Sequence, residues 1–240
     1  MRSLSQADCV ALWESGRALH PLDRGLLAVA TAFPESHRES VADWPLGQRN
    51  RALAELHCAS FGRWLRGWTA CEQCAEKLEF QVDGHALIAS GAERAQEPIS
   101  YEGSEFRLPT SRDLACIATE NDAAAAASRL LRQCLVASSK GSAEMPGGAW
   151  CEDDLQAIGE RMAEADPLAE IVLHFDCPAC GRAFNESLDL ATFLWAEMES
   201  RARRLLLDVH ELASAYGWSE TEILSLSAAR RNAYLEMVRA

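Results

Sequence analysis

The chain has 240 residues, 48% of them hydrophobic and 25% charged, which is enough apolar material to bury a core without disulfide staples. Lys and Arg number 23 against 36 Asp and Glu, and the resulting formal charge of −13 disfavours nucleic acid and anionic membranes as partners. The first residues interleave polar and charged positions where a signal peptide needs an apolar run, and the longest apolar stretches are too short to span a bilayer, so the expected address is cytoplasmic.

Over residues 5–19, Cys9, Val10, Leu12, Trp13 and Leu19 recur at helical spacing and predict an amphipathic helix. Asp23 is the expected cap of the next helix, which ends at Phe33 because Pro34 disfavours helix in the residue before it. Across residues 46–65, Leu53, Leu56, Phe61, Trp64 and Leu65 follow the same periodicity, predicting a helix that delivers the cysteine pair Cys71/Cys74. After Cys74, Leu78, Phe80 and Val82 alternate with charged residues as in a half-buried strand, and Gly84 allows a turn.

Residues 99–109 predict one or two antiparallel strands broken at Gly103, and Asn121 or Asp122 caps an alanine-rich helix, AAAAASRLLRQCLV, that runs through Leu135 and Val136. Residues 138–148, rich in Gly and Ser around Pro146, predict a surface loop or linker at the main boundary. Residues 152–165 predict a helix whose Glu152, Asp153 and Asp154 suit the positive end of its dipole. A strand over 169–175 then enters the pair Cys177/Cys180 and returns through RAFNESLDL. A long helix from Ala191 to about Tyr216 precedes two short ones opened by Ser219 and Ser227, the first with a Ser219/Glu222 capping box.

The expected class is therefore α+β, mainly helical, with short antiparallel hairpins carrying two zinc knuckles and a C-terminal helical module. Three regions are expected: 1–70, helical; 71–140, with the first knuckle, strands and a helix; and 141–240, with the second knuckle and a helical docking module. The stretches CEQCAEKLEFQVD and CPACGRAFNESLD both set an apolar residue four positions after the second cysteine and end in apolar-Asp, a weak internal repeat of one hairpin.

Nine cysteines, four of them in C-x-x-C pairs, point in a reducing compartment to metal or redox chemistry. Zinc takes four tetrahedral ligands, and each pair supplies half a site, so Cys71, Cys74, Cys177 and Cys180 are the expected ligands of one structural ion, the alternative being two separate or degenerate sites. Gly181 can adopt a positive φ after the second knuckle, whereas Ala75 stands at the equivalent place in the first and puts equal geometry in question. Thiol-disulfide catalysis would want the pair to open a helix beside a βαβ unit, but both pairs run into strand-like residues. Cys9, Cys58, Cys116, Cys134 and Cys151 read as small buried hydrophobes. None of the six histidines is spaced as a partner ligand, although His57, His85 and His174 lie near the pairs in sequence.

No G-x-S-x-G, H-E-x-x-H or phosphate-loop pattern occurs, so no enzyme activity is expected. The C-terminal helices meet at Gly217 and carry Arg230 and Arg231, yet residues 196–240 hold six Arg against seven Asp or Glu, too balanced for a DNA-reading face. Tyr216, Trp218, Ile223, Leu224, Leu226, Tyr234, Leu235 and Val238 supply either a small core or a partner groove.

Three stretches, PLGQRNRALAELHCASFGRWLRGWTACEQCAEKLEF, SEFRLPTSRDLACIA and the ending ELASAYGWSETEILSLSAARRNAYLEMV, resemble proteins encoded among contractile-tail genes and related to T-even phage baseplate hub and tail-assembly proteins. The ending carries most of the resemblance, with its Tyr216-Gly217-Trp218 turn and the Arg230-Arg231 pair before Tyr234-Leu235. That resemblance implies a structural or assembly role in a baseplate, with tail proteins as partners and incorporation into a virion or injection particle. The alternative from the residues alone is a zinc-binding cytosolic regulator or adaptor.

Overall fold

The computed structural model describes residues 1–35, 38–91, 98–138 and 150–239. The fold is mainly helical α+β, with antiparallel strand pairs and a C-terminal helical module. The linker expected over 138–148 falls almost entirely outside the described residues.

Helices α1 (Gln6–Gly16), α2 (Pro21–Ala32), α3 (Arg38–Ala42) and α4 (Leu46–Phe61) open the chain. The Ser5 hydroxyl and the Asp8 carboxylate form a reciprocal capping box at the start of α1. The cap of α2 is His20, whose ring accepts from Leu22 N–H, rather than the expected Asp23. Pro21 explains the shift: with its fixed φ and missing N–H it belongs at the first helical position, which leaves Asp23 inside the first turn.

Residues 62–70 do not continue helix α4 as the spacing predicts. Helix α4 stops at Phe61 because Gly62 takes φ 105°, and strand β1 (Trp64–Ala70), not a helix, delivers Cys71. Trp64 and Leu65 mimic the helical spacing of α4, but WLRGWTA is rich in the aromatic and β-branched residues that suit a pleated surface. β1 pairs antiparallel with β2 (Lys77–Asp83), Ala70 opposite Lys77 and Trp64 opposite Asp83. Asp83 then caps α5 (Gly84–Ser90), a helix where the sequence suggested only a turn.

Strands β3 (Ile99–Tyr101) and β4 (Ser104–Phe106) form a hairpin whose turn residues Glu102 and Gly103 both have positive φ, as a tight two-residue turn requires. Helix α6 (Ser111–Ile117), with a Thr110/Asp113 capping box, has no counterpart in the sequence reading. Helix α7 (Ala123–Cys134) is capped by Asp122 as expected, but its predicted tail is strand β5 (Leu135–Ser138), paired with β4. Helix α8 (Glu152–Ala165) packs on this small sheet, where Ile99, Phe106, Leu131, Cys134, Ile158 and Met162 make a separate core.

Strands β6 (Val172–Asp176) and β7 (Ala183–Ser187) form the second cysteine hairpin, and Asp189 caps α9 (Leu190–Tyr216). At about 1.5 Å per residue this helix is roughly 40 Å long, and its buried stripe of Leu190, Ala191, Leu194, Trp195, Met198, Ala202 and Leu205 packs against α1, α2 and α4. The main core thus joins residues from both ends of the chain. Helices α10 (Glu220–Ser225) and α11 (Ala228–Arg239) fold back on the end of α9 around buried Leu212, Ile223 and Leu235.

Helix α4 brings the two hairpins together. The first hairpin grows from its C-terminal end, while the segment leading into the second docks on its N-terminal half. There the Asn50 amide donates to Leu168 O at 2.7 Å and Gly47 N–H donates to Asp166 Oδ2 at 2.8 Å. Buried His57 on α4 meets Glu197 on α9 at 2.8 Å, fixing the helix that leaves the second hairpin. No helix among the described residues is long and apolar enough to cross a membrane.

Candidate metal centre

Each knuckle begins as a strand end. Cys71 N–H donates to Glu76 O at 2.9 Å and Ala75 N–H to Cys71 O at 2.8 Å; in the second knuckle Cys177 N–H donates to Arg182 O and Gly181 N–H to Cys177 O at the same two distances. Ala75 and Gly181, each one residue past the second cysteine, have φ 60° and 72°. The two knuckles therefore share one geometry although only one has the glycine. The repeat continues outward, since Ala70 opposes Lys77 as Asp176 opposes Ala183, and Asp83 and Asp189 each cap the helix that follows.

The inner faces of the hairpins meet through aromatic rings. Phe175 stacks on Phe184 at 5.4 Å and meets Phe80 edge-on at 5.9 Å, contacts worth about 0.5–1.5 kcal/mol each beyond their buried area. Thr69 Oγ1 donates to Glu186 Oε1 at 3.3 Å, and Arg182 reaches Glu72 at 3.8 Å from one knuckle to the other.

This packing converges the sulfurs of Cys71, Cys74, Cys177 and Cys180 within 4.8 Å of one another. Two close contacts cross between the knuckles: Cys71 to Cys180 and Cys74 to Cys177, both 3.6 Å. The first cysteine of each pair is buried and the second exposed. Four thiolates about 2.3 Å from a central zinc stand roughly 3.8 Å apart at tetrahedral geometry, so the cluster is close enough to hold a metal ion of that size. All four expected ligands meet here.

Electrostatics point the same way. N–H groups of Cys74 and Gln73 aim at the Cys71 sulfur and lower its thiol to about 7. The Glu76 N–H favours the Cys74 thiolate in the same manner, but the neighbouring Cys177 sulfur and desolvation push that thiol up to about 12. Arg182 N–H likewise serves Cys180, which desolvation and Cys177 nevertheless hold above its ordinary range. Backbone donors invite thiolates that crowding resists, a conflict that a divalent cation resolves.

None of the other cysteines or the described histidines joins the cluster. His57 serves Glu197 and His174 Nδ1 contacts Asn185 Oδ1 at 2.6 Å. Cys9 and Cys134 are buried as expected, and Cys58 partly so; Cys116 and Cys151, against expectation, are exposed. Cys116 lies on α6, and Cys151 caps α8, where an N-cap sits at the surface to reach the free N–H groups of the first turn. In comparisons of sequence and of fold, no family model, curated protein or solved structure matches the chain.

Proposed function

We propose that this chain is a non-catalytic assembly protein of a contractile-tail baseplate, held in shape by one zinc ion on Cys71, Cys74, Cys177 and Cys180. The observation carrying the metal reading is the convergence of four sulfurs from opposite halves of the chain within 4.8 Å. Four cysteine ligands fill a tetrahedral zinc and leave no open position for substrate or water, the pattern of a structural rather than a catalytic site. Because the ligands come from two distant hairpins, binding the ion is coupled to folding of the whole core.

The baseplate role rests on the resemblance of the three sequence stretches, above all the ending that forms α10 and α11. The excess of acidic residues favours protein partners over nucleic acid. The test has two arms. Metal analysis with native mass spectrometry should find one zinc per chain. Pull-down with sheath, tube and baseplate proteins encoded beside the gene should retain at least one of them; retention of none would turn the reading towards a zinc-stapled regulator or adaptor.

A further inference from the structure

Away from the cysteines, a cavity of about 440 Å³ opens between the end of α2, the start of α4 and the residues after α8. Phe33 and Trp44, meeting edge-on at 6.0 Å, and Leu108 give it apolar walls, and Asp166 lies in its lining. Asp166 is only 9% exposed, and among the described residues its carboxylate accepts a single hydrogen bond, at Oδ2 from Gly47 N–H. Among the described residues no cation pairs with it. The nearby Arg51 guanidinium is spent on Glu55 at 3.1 Å and on Gly91 O at 3.4 Å.

A buried carboxylate normally has a cationic partner, because an uncompensated charge in a low-dielectric site is costly. Burial does push the Asp166 carboxyl above its usual range, against the Gly47 N–H. The helix end behind Gly47 offers about half a positive charge, which leaves the site short of full compensation. Gly47 is also the residue that lets the carboxylate in, since a Cβ there would lie 1.6 Å from Asp166 Oδ1.

We infer that this cavity is a binding site for a primary alkylammonium group, with Asp166 Oδ1 taking the charge and Trp44 and Phe33 covering the alkyl stem. Aromatic faces and a carboxylate together are the chemistry that recognises organic cations. Ammonium fits better than guanidinium because Gly47 N–H already takes part of the acceptor capacity of Oδ2. A guanidinium fork is best met by both oxygens, whereas an ammonium is a point charge that one oxygen satisfies. A lysine side chain of a partner and a free amine share this chemistry.

The experiment is a two-dimensional NMR titration of the full chain at constant ionic strength, following the Gly47 amide and the Trp44 indole. The probes are n-butylammonium, its neutral isostere n-butanol, n-butylguanidinium and a blocked lysine peptide. n-Butylammonium should give saturable shifts that n-butanol does not. Asp166→Asn keeps an oxygen for Gly47 N–H and should keep the fold, checked by its thermal midpoint. It should weaken n-butylammonium about ten- to hundredfold, the worth of one hydrogen bond to a charged group. A peptide binding tighter than n-butylammonium assigns the cation to a protein partner, and the reverse order to a free amine. Equal binding by the Asn variant, equal response to n-butanol, tighter binding of the guanidinium, or no saturable response to any amine would each overturn the inference. The last outcome would leave Asp166 as the cap of α4 alone.

Discussion

Ala75 and Gly181 hold the same left-handed backbone at the same place in their knuckles, φ 60° and 72°, and only the glycine does so without strain. The left-handed region costs an L-residue about 1–2 kcal/mol, and glycine gives back about 0.5–1 kcal/mol through its freer unfolded chain. Ala75→Gly should therefore stabilise the protein by about 0.5 kcal/mol, and Gly181→Ala should destabilise it by about 1 kcal/mol. A Cβ at Gly181 would meet nothing within 4 Å, so the second change isolates the backbone term. Denaturant midpoints of the two variants with metal bound check the signs; the same sign for both would mean that the knuckles differ in a way their shared hydrogen bonds conceal.

Asp83 joins the first hairpin to α5 and carries a pH dependence. The Arg63 guanidinium, aided by the His85 and Ala86 N–H groups, holds its carboxyl down at about 2. An unfolded aspartate titrates near 3.9, so the stabilisation is fully present above that value and is lost as pH falls from about 4 to about 2. Asp83→Asn should lack this component. The difference in urea midpoint between native protein and variant, measured from pH 7 to 2, should shrink across that window; a difference that stays constant to pH 2 would show that the ion pair contributes nothing to folding.

What was legible in the sequence followed local rules. Period-two alternation located β2, capping chemistry located the starts of α7 and α10, and the C-x-x-C spacing named all four sulfurs. Two of the errors arose where two periodicities coincide. Trp64 and Leu65 fit a helix and a strand equally, and only Gly62 at φ 105° separates them. Leu135 and Val136 continue the helical pattern of α7, but pairing with β4 draws them into a sheet, a tertiary effect absent from the local signal. The Asp166 cavity was illegible for a similar reason: Asp166 meets Gly47 from a segment far along the chain.

Arg231, one of the C-terminal arginine pair, is turned into the helical module rather than towards solvent. It is 7% exposed, with Nε on Asp208 at 2.8 Å and a further hydrogen bond to the Gln6 side chain, so it ties α11 to α9 and α1. Removing one partner of a largely buried pair leaves the other uncompensated. Arg231→Met should lower hydrogen-exchange protection of α10 and α11 by about ten- to a hundredfold while leaving zinc content unchanged. Unchanged protection would assign the module's stability to Leu212, Ile223 and Leu235 alone.

The proposed sharing of one ion by both hairpins makes the strongest prediction. Cys74 and Cys177 are 3.6 Å apart although they belong to different knuckles, so on that proposal each is a ligand that the other's hairpin depends on. Cys74→Ser and Cys177→Ser should give one and the same defect: zinc per chain falling from one to nearly none, with equal losses in thermal midpoint. The double variant should be little worse than either single, because the first substitution already forfeits the binding energy that is coupled to folding. Two independent sites would behave otherwise, each single substitution keeping half the metal and the two losses adding, as separated positions do. Zinc content and thermal midpoints of the three variants distinguish the cases. Additive losses with half-retained metal would require the four sulfurs to act as two pairs, although Cys71 and Cys74 each stand 3.6 Å from a sulfur of the other knuckle.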